Sequence, residues 1–302
     1  RVAIYWPGVA DAVELDALRA RWRAGAPVAA LLFYRAHLQA GNLGAFDALI
    51  QQLVAADLNP LPISVASLKE EPCRLAVEEL LARAAAALVL NTTGFAIGGL
   101  GEAGAGRAPS RAIGALGLGR PVLQVVVSGG NVEDWRAQSQ GLSPRDLAMS
   151  VVLPEVDGRI ITRAVSFKGL ARRSARAEID VAEYRVEPDR AAFVAELAAR
   201  WAELARTPPA ERRIALVLAN YPTRDGRLGN GVGLDTPAST VEILRALAAA
   251  GYRVDDIPVD GRELMTRLQT YVTNELELLD SRACRQSLAL EDYTAFLRSL
   301  PA

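Results

Sequence analysis

The sequence predicts an α/β protein of two parallel-sheet units, joined by a mixed α/β segment and followed by a helical tail. Three observations carry that expectation. Short continuous apolar runs alternate with stretches whose apolar residues recur every three or four positions, the pattern of strands covered on both faces by amphipathic helices. The alternation restarts after Arg213. Finally, Phe33-Tyr34 with Gly41-Asn42 in the first half is matched by Asn220-Tyr221 with Gly229-Asn230 in the second. A weak internal repeat explains that match, and so does chance likeness between two generic strand–helix units.

Residues 2–6 read as a strand, and residues 28–34 are an unbroken apolar run. Phe46, Leu49, Ile50, Leu53 and Val54 fall on one helical stripe. Residues 60–65 are the next strand, 72–86 a second helix, Leu88-Val89-Leu90 a strand, and 121–127 another. Strands alternating with helices imply parallel pairing through right-handed crossovers. Residues 151–161 read as two extended stretches around an Asp157-Gly158 turn. Phe193, Leu197, Trp201 and Leu204 mark a helix ending at Thr207-Pro208-Pro209. Residues 214–219 then form a strand and 237–250 a helix with Val241, Leu244, Leu247 and Ala248 inward. Thr236 as N-cap, Pro237 at the first position and Gly251 past the end bracket that helix. Residues 252–258 return as a strand, and the tail from Gly261 is helical in pattern. The expected organisation is a first α/β unit over 1–134, a connecting hairpin and helix over 135–212, and a truncated second unit over 213–302. Each unit is expected to be flavodoxin- or periplasmic-binding-like.

Composition narrows the function. Across 302 residues, 34 basic side chains face 35 acidic ones, a net charge of -1 that lacks the basic footprint of a nucleic-acid binder. No apolar run approaches the ~20 residues of a membrane span. No signal peptide precedes the opening strand, and residue 1 is Arg, so a cytoplasmic chain cut from something longer is expected. Cys73 and Cys284 alone exclude a disulfide scaffold and a cysteine-rich metal site, and a single histidine excludes a histidine-rich one. No metal-ligand set is therefore assigned. Only Lys69 and Lys168 are lysines, so arginine dominates recognition of carboxylates.

Gly99-Leu100-Gly101-Glu102-Ala103-Gly104 spells a dinucleotide fingerprint but is followed by Gly106-Arg107-Ala108-Pro109 rather than a helix, so it reads as a glycine-rich loop. His37 follows the first apolar strand, where α/β sheets place ligands; a structural histidine is the competing reading. The long polar loop 220–235 is a functional loop or a plain lid. Ser128-Gly129-Gly130-Asn131 is an anion nest or an ordinary turn. Glu155 and Asp157 are a working carboxylate pair or solvated turn acids.

Three stretches resemble one family, the large subunits of aerobic cobaltochelatase and of the related magnesium chelatase. They are Phe33-Tyr34-Arg35-Ala36-His37-Leu38-Gln39-Ala40-Gly41-Asn42, then Gly141-Leu142-Ser143-Pro144-Arg145-Asp146-Leu147-Ala148 running into Leu153-Pro154-Glu155-Val156-Asp157-Gly158-Arg159-Ile160-Ile161, and Ala219-Asn220-Tyr221-Pro222 running through Gly233-Leu234-Asp235-Thr236-Pro237-Ala238-Ser239. The resemblance implies an N-terminal portion of a subunit that binds a tetrapyrrole, hydrogenobyrinic acid a,c-diamide, for cobalt insertion in cobalamin biosynthesis. It also implies cobalt as substrate ion and two partner subunits that form an ATP-hydrolysing ring. The family's later histidine-bearing motifs have no counterpart here, so the piece alone is expected to be inactive.

On that resemblance, Tyr34, Arg35, Asn42, Ser128, Asn220, Tyr221, Arg224, Arg227 and Asn230 are the candidates for the macrocycle's carboxylate and amide rim. Arg35, Asn42, Arg224, Arg227 and Asn230 would face a common cleft. His37, Glu155 and Asp235 are the candidates for accepting a pyrrole proton or passing on the metal. The competing readings are a non-catalytic hinged binder of small molecules, a magnesium chelatase fragment, and a domain that docks the partner ATPase.

Overall fold

The computed structural model describes residues 2–98, 119–176, 178–221 and 224–300. Contacts between elements divide the chain into two compact units, Arg1–Arg206 and Thr207–Ala302.

The first unit runs β1 (Val2–Ile4), α1 (Leu15–Arg19), β2 (Val28–Tyr34), α2 (Arg35–Gln39), α3 (Gly44–Ala55), β3 (Asn59–Val65), α4 (Glu71–Arg83), β4 (Ala86–Asn91) and β5 (Val122–Ser128). It continues through α5 (Val132–Ala137), α6 (Pro144–Leu147), a π-helical turn at Ala148–Val152, α7 (Leu153–Val156), β6 (Ile160–Ser174), β7 (Ile179–Val186) and α8 (Pro188–Arg206). All seven strands lie in one sheet, in the order β1-β3-β2-β4-β5-β6-β7. The strands from β3 through β6 pair in parallel, and β1 and β7 close the edges antiparallel.

Side-chain alternation on β2 shows how both faces are filled. Ala29, Leu31 and Phe33 pack with Phe46, Leu49 and Leu53 of α3 and with Ala191, Val194 and Ala198 of α8. Val28, Ala30 and Leu32 pack on the other face with Leu15, Leu18, Val77 and Leu81 of α1 and α4. Phe33 and Phe46, both fully buried, stack with centroids 4.5 Å apart. A side chain of that size contributes about 1.5–3 kcal/mol on burial.

Several expectations give way here. Residues 135–206 are not a connector, since β6, β7 and α8 complete the sheet and cover that of residues 2–134. The expected turn at Asp157-Gly158 is a helix stop, because residues 144–156 are helical and Gly158, at φ 70°, ends them. Its N–H reaches Glu155 O, and the left-handed position suits glycine. On α8 the inward stripe is Ala191, Val194, Ala195, Ala198 and Ala202, while Phe193 and Leu204 are exposed. Small side chains let the helix lie close to the sheet, so its large residues flank the contact instead of filling it. Val54 of α3 is likewise exposed.

The second unit holds α9 (Thr236–Ala249), α10 (Gly261–Gln269) and α11 (Leu290–Ser299). The expected second parallel sheet does not form among its described residues, where only isolated bridges such as Asn220 to Leu228 occur. Residues 214–219 and 252–258 are non-helical, but a strand needs a partner to satisfy its amides, and Ile214, Leu216 and Val217 are exposed. On α9 the N-cap is Asp235, whose side chain accepts from Ala238 N at 3.0 Å, one residue earlier than expected. Gly251 does follow its end, at φ 85°, with Tyr252 N on Leu247 O and Gly251 N on Ala248 O.

Ala198→Leu tests the alanine seam of α8. Overpacking should lower the unfolding free energy by about 1–3 kcal/mol in urea denaturation, while the exposed Phe193→Leu should change it little.

Candidate functional site

The chain leaves β2 to form β3 on one side and returns past β2 to form β4 on the other, so the connections diverge between β2 and β4. Such a switch point opens a crevice at the carboxyl ends of the strands, where open α/β sheets bind ligands. A cavity of about 310 Å³ lies there. Its walls are Tyr34 at the end of β2, Ser67 to Lys69 beyond β3, Thr93 to Ile97 beyond β4, and Arg159.

Arg159 immediately precedes β6, yet it reaches the carboxyl end of β4. Register explains this: Asn91, the last residue of β4, pairs with Gln124 in mid-β5, and Gln124 pairs with Ile161 at the start of β6. The stagger brings the beginning of β6 level with the end of β4. The Arg159 guanidinium then donates from Nη1 to Thr93 O at 3.2 Å and Gln124 Oε1 at 2.9 Å. From Nη2 it donates to Phe95 O at 3.1 Å and Asp157 Oδ2 at 2.8 Å. Asp157 also accepts the amides of Ile97 at 2.8 Å and Gly98 at 3.0 Å. The side chains of this ion pair are 2% and 3% exposed. Burial draws the guanidinium pKa below its usual value, and Asp157 opposes that shift.

Asn91 and Gln124 interrupt otherwise apolar strands for the same network. Asn91 Nδ2 donates to Gln124 Oε1 at 3.0 Å, Gln124 Nε2 donates to Thr93 O at 3.0 Å, and Thr93 Oγ1 donates to Asn91 Oδ1 at 2.9 Å. The loop after β4 is thus held by hydrogen bonds at Thr93, Phe95, Ile97 and Gly98. Tyr34 adds its hydroxyl to Gly94 O at 3.2 Å, and burial pushes its phenol pKa up.

Of the candidate site residues, all of them among the described residues, Tyr34 alone lines this cavity. Arg35 opens α2 with its Nε buried and lacking a hydrogen-bond partner among the described residues. His37 packs against the rings of Phe46 at 4.9 Å and Tyr184 at 5.1 Å, and burial lowers its pKa, which favours the neutral imidazole. Asn42 grips the edge strand β7, its Oδ1 accepting Tyr184 N at 3.0 Å and its Nδ2 donating to Ala182 O at 3.4 Å. The Ser128 hydroxyl donates to the buried Asp146 at 2.7 Å, and Asp146 also accepts Gly129 N at 3.2 Å. The turn, read as either an anion nest or an ordinary turn, therefore holds the protein's own carboxylate. Glu155 is exposed on α7, and Asp157 is paired with Arg159 rather than with it.

In the second unit, Tyr221, Arg224, Arg227 and Asn230 are exposed, and Asn220 Oδ1 accepts Arg224 N at 3.3 Å. The loop is anchored through Asp225, which pairs with Arg282 and accepts Thr273 Oγ1 at 2.6 Å. Those partners hold its carboxyl pKa below the usual range. Asp235 is occupied as the α9 cap. The glycine-rich motif at 99–104 lies outside the described residues. Among the described residues no three His, Cys, Asp or Glu side chains gather as a metal-holding group, and no helix is long and apolar enough to cross a membrane.

Sequence reasoning passed over Ser67, Thr93, Asp157 as a partner of Arg159, and Arg159 itself. The available signal was the polar Asn91 and Gln124 inside apolar runs, since a buried amide requires a buried partner.

Fold and cleft together define a doubly wound α/β domain with a ligand-sized crevice at its switch point. The chain belongs to the CobN/magnesium chelatase family, whose model matches residues 2–302. It is 56% identical over 301 residues to the aerobic cobaltochelatase subunit CobN of Pseudomonas aeruginosa, covering 100% of this chain and 23% of that protein. It is 43% identical to the corresponding subunit of a Sinorhizobium species, covering 100% of this chain and 24% of that protein. Among solved structures, the catalytic subunit of cobaltochelatase from Mycobacterium tuberculosis aligns with a TM-score of 0.63 at 35% identity, over 81% of this chain and 20% of that one. The chain thus spans about a quarter of the length of the curated relatives it matches.

Two substitutions test the geometry. Asp157→Asn leaves a buried guanidinium without its counter-ion and should cost about 3–5 kcal/mol of stability by chemical denaturation. Asn42→Ala should cost only about 1 kcal/mol and speed hydrogen exchange at the Tyr184 amide, which loses its acceptor.

Proposed function

We propose that this chain is an N-terminal portion of the large subunit of a cobaltochelatase, and that it takes part in binding hydrogenobyrinic acid a,c-diamide for cobalt insertion in cobalamin biosynthesis. The observation that carries this reading is the 56% identity to a cobaltochelatase subunit along the whole chain. The same comparison favours cobalt over magnesium as the substrate ion. In the complete enzyme, two partner subunits forming an ATP-hydrolysing ring supply the energy, and the complex works in the cytoplasm.

Metal insertion requires a macrocycle held in place, two N–H protons removed and a cation stripped of water. This chain's side chains suit the first task. Exposed Tyr221, Arg224, Arg227 and Asn230 offer an aromatic face, two guanidinium forks and an amide to a rim of carboxylates and amides. Arg35 and Tyr34 offer the same chemistry in the first unit. The chain's one imidazole, His37, packs against two rings, and burial there favours its neutral form. We assign proton removal and cation delivery to parts of the subunit beyond this stretch.

Titration of the chain with hydrogenobyrinic acid a,c-diamide, followed by the macrocycle's absorption band, checks the reading. A saturable shift is expected, weakened several-fold in an Arg224→Gln, Arg227→Gln double variant, with no cobalt insertion when ATP and both partner subunits are added. Binding of a sugar or amino acid in place of the macrocycle would favour the hinged small-molecule binder. Insertion by the isolated chain would place the reaction centre within it.

A further inference from the structure

The switch-point cleft has a chemical character that the family reading does not use. Its described walls carry two cations, Lys69 and Arg159, and no carboxylate. The Lys69 ammonium lies 5.1 Å from the centroid of the Phe95 ring and makes no ion pair among the described residues. Arg159 is 4% exposed, and although Asp157 and three other acceptors take up its two terminal nitrogens, its Nε is buried without a hydrogen-bond partner among the described residues. A buried donor left unmet on a residue that lines a cavity calls for an acceptor. Tyr34 and Ser67 bring hydroxyls to the same walls.

We propose that this cleft binds a carboxylate group, drawn in by Lys69 and accepting the free Nε–H of Arg159. A phosphate is the poorer fit. Its usual seat at such a crevice is a helix N-terminus, and here the chain runs from Lys69 into Glu70 and Glu71, which place two acids at the start of α4. A single N–H beside a point charge also matches one carboxylate better than a three-oxygen anion. The cavity, at about 310 Å³, sits at the small end of ligand pockets, so it takes a small organic acid or one carboxylate arm of a larger molecule. This inference stands apart from the tetrapyrrole reading and holds for either source.

Amide NMR of the 302-residue chain, titrated with propionate and separately with inorganic phosphate, tests it. Saturable shifts centred on Thr93 to Ile97 are expected with propionate, weakening at high salt, with phosphate binding no tighter. The exposed Lys69→Gln variant, whose remaining spectrum should match the parent, is expected to raise the propionate Kd at least fivefold. Addition of hydrogenobyrinic acid a,c-diamide then separates the sources. Displacement of propionate assigns the cleft to a macrocycle arm and absence of displacement to a free acid, and both uphold the carboxylate site. No saturable shift at these amides, an unchanged Kd in Lys69→Gln, or tighter binding of phosphate overturns it.

Discussion

A buried guanidinium sets the terms for the first unit. Arg159 lies almost wholly out of water, and an uncompensated charge there would cost several kcal/mol. Its neighbours answer that demand. Asp157 supplies the counter-charge, Thr93 and Phe95 turn carbonyls inward, and Gln124 brings a side-chain acceptor from the middle of β5. Asp157 in turn fixes the amides of Ile97 and Gly98. The loop after β4 therefore cannot move independently of the start of β6, and the crevice between them has a defined shape without ligand. A hydrophobic replacement of the pair would hold the sheet together as well or better. What the charged pair adds is a second cation, beside Lys69, in the wall of the crevice.

That arrangement separates what the sequence made legible from what it hid. Strands β2 to β5 were readable because each is an apolar run buried on both faces, and α3 because Phe46, Leu49, Ile50 and Leu53 fall on one stripe. Arg159 was not, because its place depends on the stagger of β4, β5 and β6, a non-local quantity. Asn42 misled for the complementary reason. A polar residue beside a glycine after a strand suits a ligand loop, but here an edge strand, β7, claims both its polar atoms. Ser128 misled in the same way, since Asp146, eighteen residues on, fills the nest that the local pattern left open.

In the second unit the local signals were sound and the tertiary inference was not. Asp235, Thr236, Pro237 and Gly251 do delimit a helix, because caps act within a few residues. Residues 214–219 have the composition of a buried strand, but apolar character cannot supply the partner that a strand requires. Val217 stays 92% exposed among the described contacts. Hydrophobicity predicts that a segment will be covered, whereas pairing predicts by what, and only the first is written in one segment.

The same distinction bears on how chemistry is divided along a long subunit. A stretch that recognises carboxylates and amides needs donors fixed in place, and arginine is the side chain that stays charged when buried. A stretch that removes protons needs groups whose pKa lies near neutrality and whose lone pairs are open to the substrate. Here the single imidazole packs against Phe46 and Tyr184, and hydrogen bonds from Arg282 and Thr273 hold the Asp225 carboxyl pKa below the usual range. Among the described residues the unmet buried donors, by contrast, are the Nε of Arg159 and of Arg35, the Nδ2 of Asn220 and the hydroxyl of Ser166. The buried acids Asp146 and Asp157 and the one histidine are engaged in holding the framework, while buried arginine and amide donors are left unmet.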